Sequence, residues 1–157
     1  MTDTLKFICE QCTHLHNPQL EFIAKESHHQ RNIILRDLKE LVSASSLEHE
    51  KTVMVLAGGL FEAVLYSFIQ EQSDFITARR GRTFTFDPEQ SLANFVNIFN
   101  RWFSDVLKIP DIIVDYRDVV HINRELKYPP DFCRNAAQDI LRLLDTLLGK
   151  LVDYSKA

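Results

Sequence analysis

Apolar positions recur along most of this chain at the spacing of an α-helix rather than the alternation of a strand. The clearest case is Ala136, Ala137, Ile140, Leu144, Leu147, Leu148 and Leu151, which predicts an amphipathic last helix. Leu92, Phe95, Val96, Phe99, Trp102, Phe103 and Val106 give a second helix a broad inner face. Residues 52–70 are apolar nearly all round, the mark of a helix at the centre of a bundle, and 53–69 should be the most buried element. Ile112, Ile113, Tyr116, Val119 and Val120 form a further stripe. The pattern predicts an all-α, single-domain bundle of about six helices over residues 1–157.

Capping residues and prolines set the expected boundaries. A short helix over 3–14 stops at Asn17-Pro18. Asn17 then caps a second helix that runs to 42, with Leu20, Ile23, Ile34, Leu38 and Leu41 inward and a kink or break across its polar middle, 25–31. Ser43-Ala44-Ser45-Ser46 reads as a linker, and Ser45 with Glu48 as a capping box for the central helix. Gly58-Gly59 inside that helix implies close approach of a neighbour. Residues 73–86 lose periodicity and predict a long exposed loop or a small hairpin. Asp87-Pro88-Glu89-Gln90 then restarts a helix, Pro110 opens another that ends near Leu126, and Tyr128-Pro129-Pro130-Asp131 turns the chain.

Composition narrows the function. With 45% hydrophobic and 25% charged residues, 4 Gly and 5 Pro, a turn-rich β architecture is disfavoured. A formal charge of −4 and a pI near 5.8 exclude coating nucleic acid by bulk charge, so any such contact must come from a local patch. Three cysteines and no signal-peptide pattern lead us to expect a cytoplasmic protein. The apolar run 53–69 carries Glu62, which marks a core helix rather than a membrane span.

Four groups of residues have chemistry to offer. Arg117 and His121, four residues apart, are neighbours at the edge of the 112–120 stripe. An always-charged guanidinium beside an imidazole that titrates near neutrality suits binding or cleavage of a phosphorylated substrate. The plainer alternative is a structural pair, with Arg117 bridging to Glu62, Asp115 or Asp118. Glu62 either reaches solvent or pairs with a cation such as Arg117 or His121, because an unpaired buried carboxylate is costly. Arg79, Arg80 and Arg82, interleaved with Phe84 and Phe86, are a solvated loop or an Arg-plus-aromatic surface for single-stranded nucleic acid. Cys9, Cys12, His14 and His16 have metal-ligand chemistry, but the expectation is buried apolar cysteine with no metal. His28-His29 read as surface.

The segment Asp115-Tyr116-Arg117-Asp118-Val119-Val120-His121 resembles the "DYRNLIHP"-type motif of small helical proteins related to the HEPN superfamily. Gly58-Gly59-Leu60-Phe61-Glu62-Ala63-Val64-Leu65 is similar to the apolar helix that accompanies it, and Leu92-Ala93-Asn94-Phe95-Val96-Asn97 to the helix between. The resemblance implies an all-helical, commonly dimeric bundle, and several such proteins are metal-independent endoribonucleases with two motifs facing across a dimer cleft. It makes Arg117 the phosphate-binding cation, Asp118 the polar residue after it and His121 the acid/base. The expected function is RNA binding or metal-independent RNA cleavage in a defence, stress or toxin–antitoxin system, by a homodimer without cofactor or membrane. The spacing is tighter than in the active nucleases, and Ile122 stands where Pro often follows the His. The alternative is therefore a non-catalytic module of the same fold that dimerises or binds a protein partner or nucleotide.

Overall fold

The structure, a computed structural model, describes residues 3–118 and 126–157, and every regular element among them is helical. In chain order they are α1 (Leu5–Gln11), α2 (Thr13–His16), a 3-10 turn at Leu20–Phe22, α3 (His28–Ser46), α4 (Glu50–Glu71), α5 (Ser73–Arg80), α6 (Leu92–Trp102), α7 (Ile112–Asp118) and α8 (Phe132–Lys156). These are eight α-helices among the described residues, not six.

The central helix is the expected one. α4 packs against α3, α6, α7 and α8, and buries Val53, Met54, Ala57, Leu60, Phe61, Val64, Leu65, Phe68 and Ile69. Its 22 residues, with an 18-residue window of mean hydropathy 1.8, would suit a membrane span by length and composition. However, 61% of that window is buried inside the protein, as in a core helix. All seven apolar positions read from the periodicity of α8 are buried. Between α4, α6 and α8 the rings of Phe68, Phe99, Phe103 and Tyr154 meet, with Phe68 edge-on to Phe103 at 4.9 Å and to Tyr154 at 5.6 Å.

Several boundaries differ from expectation, each for a local reason. The first helix divides at Cys12, whose ψ of 84° is not helical. The second expected helix does not start at Asn17-Pro18. Only a 3-10 turn follows there, and α3 begins after Ser27, whose hydroxyl accepts from Gln30 N at 3.1 Å. The polar middle is thus a break, closed by the Arg31 guanidinium donating to the Ala24 and Lys25 carbonyls at 2.7 Å each. Ser43 to Ser46 are helical rather than a linker, and Ser45 caps nothing because its hydroxyl donates back to Leu41 O. Residues 73–80 form α5, closed by Gly81 in the left-handed region at φ 76°, so the expected loop or hairpin holds only for its second half, as a loop. Asp87-Pro88-Glu89-Gln90 makes a turn, with Asp87 Oδ1 accepting from Glu89 N, and α6 starts only at Leu92 under a Ser91 cap. α6 also stops at Trp102, leaving Val106 outside it.

Thr4 Oγ1 caps α1 locally by accepting from Phe7 N, but the first amides of both N-terminal helices are satisfied from far away in sequence. Glu48, at φ 57°, accepts from Leu5 N at 2.8 Å and Lys6 N at 3.4 Å through its carboxylate. Asp145 Oδ1 accepts from His14 N at 2.8 Å and Leu15 N at 3.3 Å. Carboxylates at helix N-termini satisfy free amides and the helix dipole together.

Candidate functional site

α7 is positioned from both ends. Asn100 on α6 pins the preceding loop by donating to Ile109 O and accepting from Ile109 N, each at 2.8 Å. The Pro110 and Asp111 carbonyls then accept from Ile113 and Val114 to start the turn. Ile113 is fully buried and Tyr116 nearly so, whereas Ile112, expected inward, is exposed. Tyr116 Oη donates to Asp139 Oδ2 on α8 at 3.3 Å; burial, then the Asp139 charge, pushes its pKa up to about 12. The phenol is a donor here, not an acid.

This anchoring sets Arg117 against α4, and Gly58 permits it. A Cβ at Gly58 would lie 2.9 Å from Arg117 Cδ, so a larger residue would displace the Arg117 side chain. The close approach expected of Gly58-Gly59 thus belongs to Gly58 alone; Gly59 has nothing within 4 Å of its Cβ position. One turn on, Glu62 Oε2 stands 3.7 Å from Arg117 Nε, with the two side chains 36% and 39% exposed. That is an ion pair but too long for a hydrogen bond, and among the described residues Nε has no hydrogen-bond partner. Asp115 and Asp118, the other carboxylates offered as bridges, make no ion pair with Arg117 among the described residues. Glu62 also edges an open groove of about 400 Å³ between α3 and α4, lined by Ile33, Ile34, Gly59, Ala63 and Tyr66. Asp118 is half-buried at the last described residue of α7. Val119, Val120, His121 and Ile122 lie outside the described residues.

Arg79, Arg80 and Arg82 are exposed, as expected, at the end of α5 and just past it. The chain also brings to them Trp102, which periodicity misplaced, and Arg101, which it left unassigned. Trp102, read as part of the inner face of α6, is only half-buried, and with the exposed Arg101 it lines a groove of about 220 Å³ shared with Arg80, Arg82, Phe84 and Asn97. The signal was there in sequence: Asn97 and Arg101 are one helical turn apart, on the side of α6 away from Phe95 and Phe99.

Cys9 and Cys12 are buried, and His16 Nε2 hydrogen-bonds the Cys9 carbonyl at 2.9 Å. Burial raises both thiol pKa values, that of Cys12 to about 12, with Asp145 adding to it, so both sulfurs are protonated and behave as apolar groups. Among the described residues no group of three or more His, Cys, Asp or Glu side chains is placed to hold a metal ion. His28 and His29 are at the surface.

No family model, curated protein or solved structure matches the chain.

Proposed function

We propose that this chain is a HEPN-like module that acts on RNA as a cytoplasmic homodimer in a defence or stress system, cleaving it without a metal. Arg117 binds the scissile phosphate and His121, four residues further on, moves a proton. The 2′-oxygen attacks the adjacent phosphorus, the 5′-oxygen leaves, and the products are a cyclic phosphate and a 5′-hydroxyl. Arg117 stabilises the charge that develops on the phosphoryl oxygens. Glu62 orients the guanidinium, and Asp118 is the polar residue that follows it.

The observation that carries this reading is the looseness of the Arg117–Glu62 pair. A purely structural arginine is enclosed by carboxylates in hydrogen-bond contact. Arg117 instead meets one carboxylate at 3.7 Å and keeps 39% of its side chain open to solvent, and that carboxylate, Glu62, edges an accessible groove. A guanidinium held this way can exchange its partner for a phosphate at little cost. The second reading, a non-catalytic module of the same fold that dimerises or binds a protein or nucleotide, is favoured by the apolar lining of that groove.

Cleavage and thermal stability measured on the same variants separate the two. On the proposed reading His121→Ala abolishes cleavage with stability nearly unchanged, and Arg117→Lys impairs it because a point charge cannot reproduce the bidentate fork. Undiminished cleavage by a folded His121→Ala protein would eliminate the nuclease assignment.

A further inference from the structure

The groove between the end of α5 and the outer side of α6 is separate from Arg117 and unused by the chemistry above. Its charge is the first thing to explain. Arg80, Arg82 and Arg101 line it, Arg79 stands beside them with its guanidinium 5.1 Å from the Phe75 ring centroid, and none of the four makes an ion pair among the described residues. In a chain of net charge −4, four cations held out of ion pairs on one edge make a local positive patch.

Aromatic surface is interleaved with that charge. The Arg101 guanidinium lies 5.3 Å from the Trp102 ring centroid, and Phe84 contributes a second half-exposed ring to the same groove. Asn97, one turn before Arg101, adds an amide able to hydrogen-bond a base edge.

The groove is also built in advance. Gly81 turns the chain in the left-handed region, Phe84 N donates to Thr77 Oγ1 at 3.0 Å, and Phe86 sits edge-on to Tyr66 at 4.9 Å while stacking on Phe95. The loop that carries Arg82 and Phe84 is therefore fastened to the core at two points, which lowers the ordering cost of binding.

We infer that this groove binds single-stranded RNA, with Arg80, Arg82 and Arg101 on successive phosphates and Trp102 with Phe84 offering a base a stacking platform. The inference rests on the reading of the chain as a module that acts on RNA, and it adds the form of the substrate. Bases in a duplex are already stacked and paired, whereas an unpaired base can enter a groove of about 220 Å³ and meet cation and ring together.

Trp102 is the only tryptophan in the chain, so its emission reports this groove alone. The probe is a short 2′-O-methyl oligouridine, which cannot be cleaved through its 2′-oxygen. Saturable quenching of Trp102 by this strand is expected, with the matched RNA duplex binding about tenfold more weakly. Replacing Arg80, Arg82 and Arg101 together by Ala should weaken binding at least about tenfold and flatten the salt dependence by about two in slope. All three are exposed, so the variant should fold. Trp102→Leu, read by anisotropy of a labelled strand, should cost on the order of tenfold, and Trp102→Phe less. Unchanged Trp102 emission at saturating strand, equal binding of the duplex, or unaltered binding by the triple variant would each overturn the inference. Its failure is distinct from that of the nuclease reading. A protein that quenches on strand binding but cleaves no RNA keeps the groove and loses the nuclease; one that cleaves a dinucleotide yet gives no quenching does the reverse.

Discussion

Gly58 and Arg117 are in van der Waals contact across the α4–α7 interface, with no room for a methyl group between them: a Cβ on Gly58 would stand 2.9 Å from Arg117 Cδ and 3.4 Å from its Cα. The neighbouring Gly59 is open on that side, with nothing within 4 Å. Gly59→Ala should therefore stabilise the protein by about 0.5–1 kcal/mol, the helix-propensity difference. Gly58→Ala gains the same propensity but must displace Arg117, so its melting temperature should fall short of that of Gly59→Ala and, on the proposed reading, RNA cleavage should drop. Equal melting temperatures would show that α7 yields freely.

Removing the carboxylate of Glu62 probes the other side of the same arginine. The pair is more than one-third exposed on both side chains, and solvent screens most of its attraction. Glu62→Gln should cost less than about 1 kcal/mol in urea unfolding. A loss of several times that would make the pair structural and count against the phosphate-binding role of Arg117.

Alkaline pH should weaken the fold. Cys12 and Tyr116 each titrate near 12 in the folded protein, against ordinary values of 9.0 and 10.0. Below pH 9 both states keep both protons and this contribution to stability is intact. Between pH 9 and 12 the unfolded chain releases protons that the folded one still holds, so unfolding is drawn forward and stability falls as pH rises. Urea midpoints at about pH 8 and about pH 10.5 measure the drop, and Cys12→Ala should remove the cysteine's share of the slope.

Much of the architecture was legible because burial repeats every turn. α8 shows its seven apolar positions at helical spacing, and α4 is apolar on nearly every side. α5 was not legible because it buries a single residue, Ile76, and one apolar position sets no period. The failed capping box at Ser45 and Glu48 has a different cause. Glu48 is committed to Leu5 N, 43 residues away, a partnership that no local pattern records. Of the candidate site, Glu62 with Arg117 followed from the cost of an unpaired carboxylate in an apolar helix, and the arginines of 79–82 from composition. Trp102 was missed because an aromatic at a core-like spacing reads as core, and Arg101 because it lies far along the sequence from the 79–86 cluster it joins.

Gly149 on α8 sets a further test. A Cβ there would lie 2.7 Å from His14 Nε2 and 3.0 Å from its Cδ2, so the imidazole rests directly on the helix backbone. Gly149→Ala should swing the half-buried ring aside without moving the α2 backbone, so the loss of this contact and the better helix propensity should leave stability within about 1 kcal/mol of the parent. Asp145→Ala should cost about 0.5–2 kcal/mol at the same contact, and Asp145→Asn less, because an amide oxygen can still accept from His14 N. Urea unfolding of the three variants checks the order.

The borrowed caps on α1 and α2 have a further consequence for how the chain behaves as a polymer. Helices of 7 and 4 residues are far too short to persist in water alone, and the carboxylates of Glu48 and Asp145 that satisfy their first amides belong to the rest of the fold. Residues 3–16 are in this sense a tethered peptide ligand, coil when released and helical only when seated in its receptor. Their docking is a binding equilibrium with its own affinity, written into one covalent chain, and a synthetic copy of the segment should compete for the seat in trans.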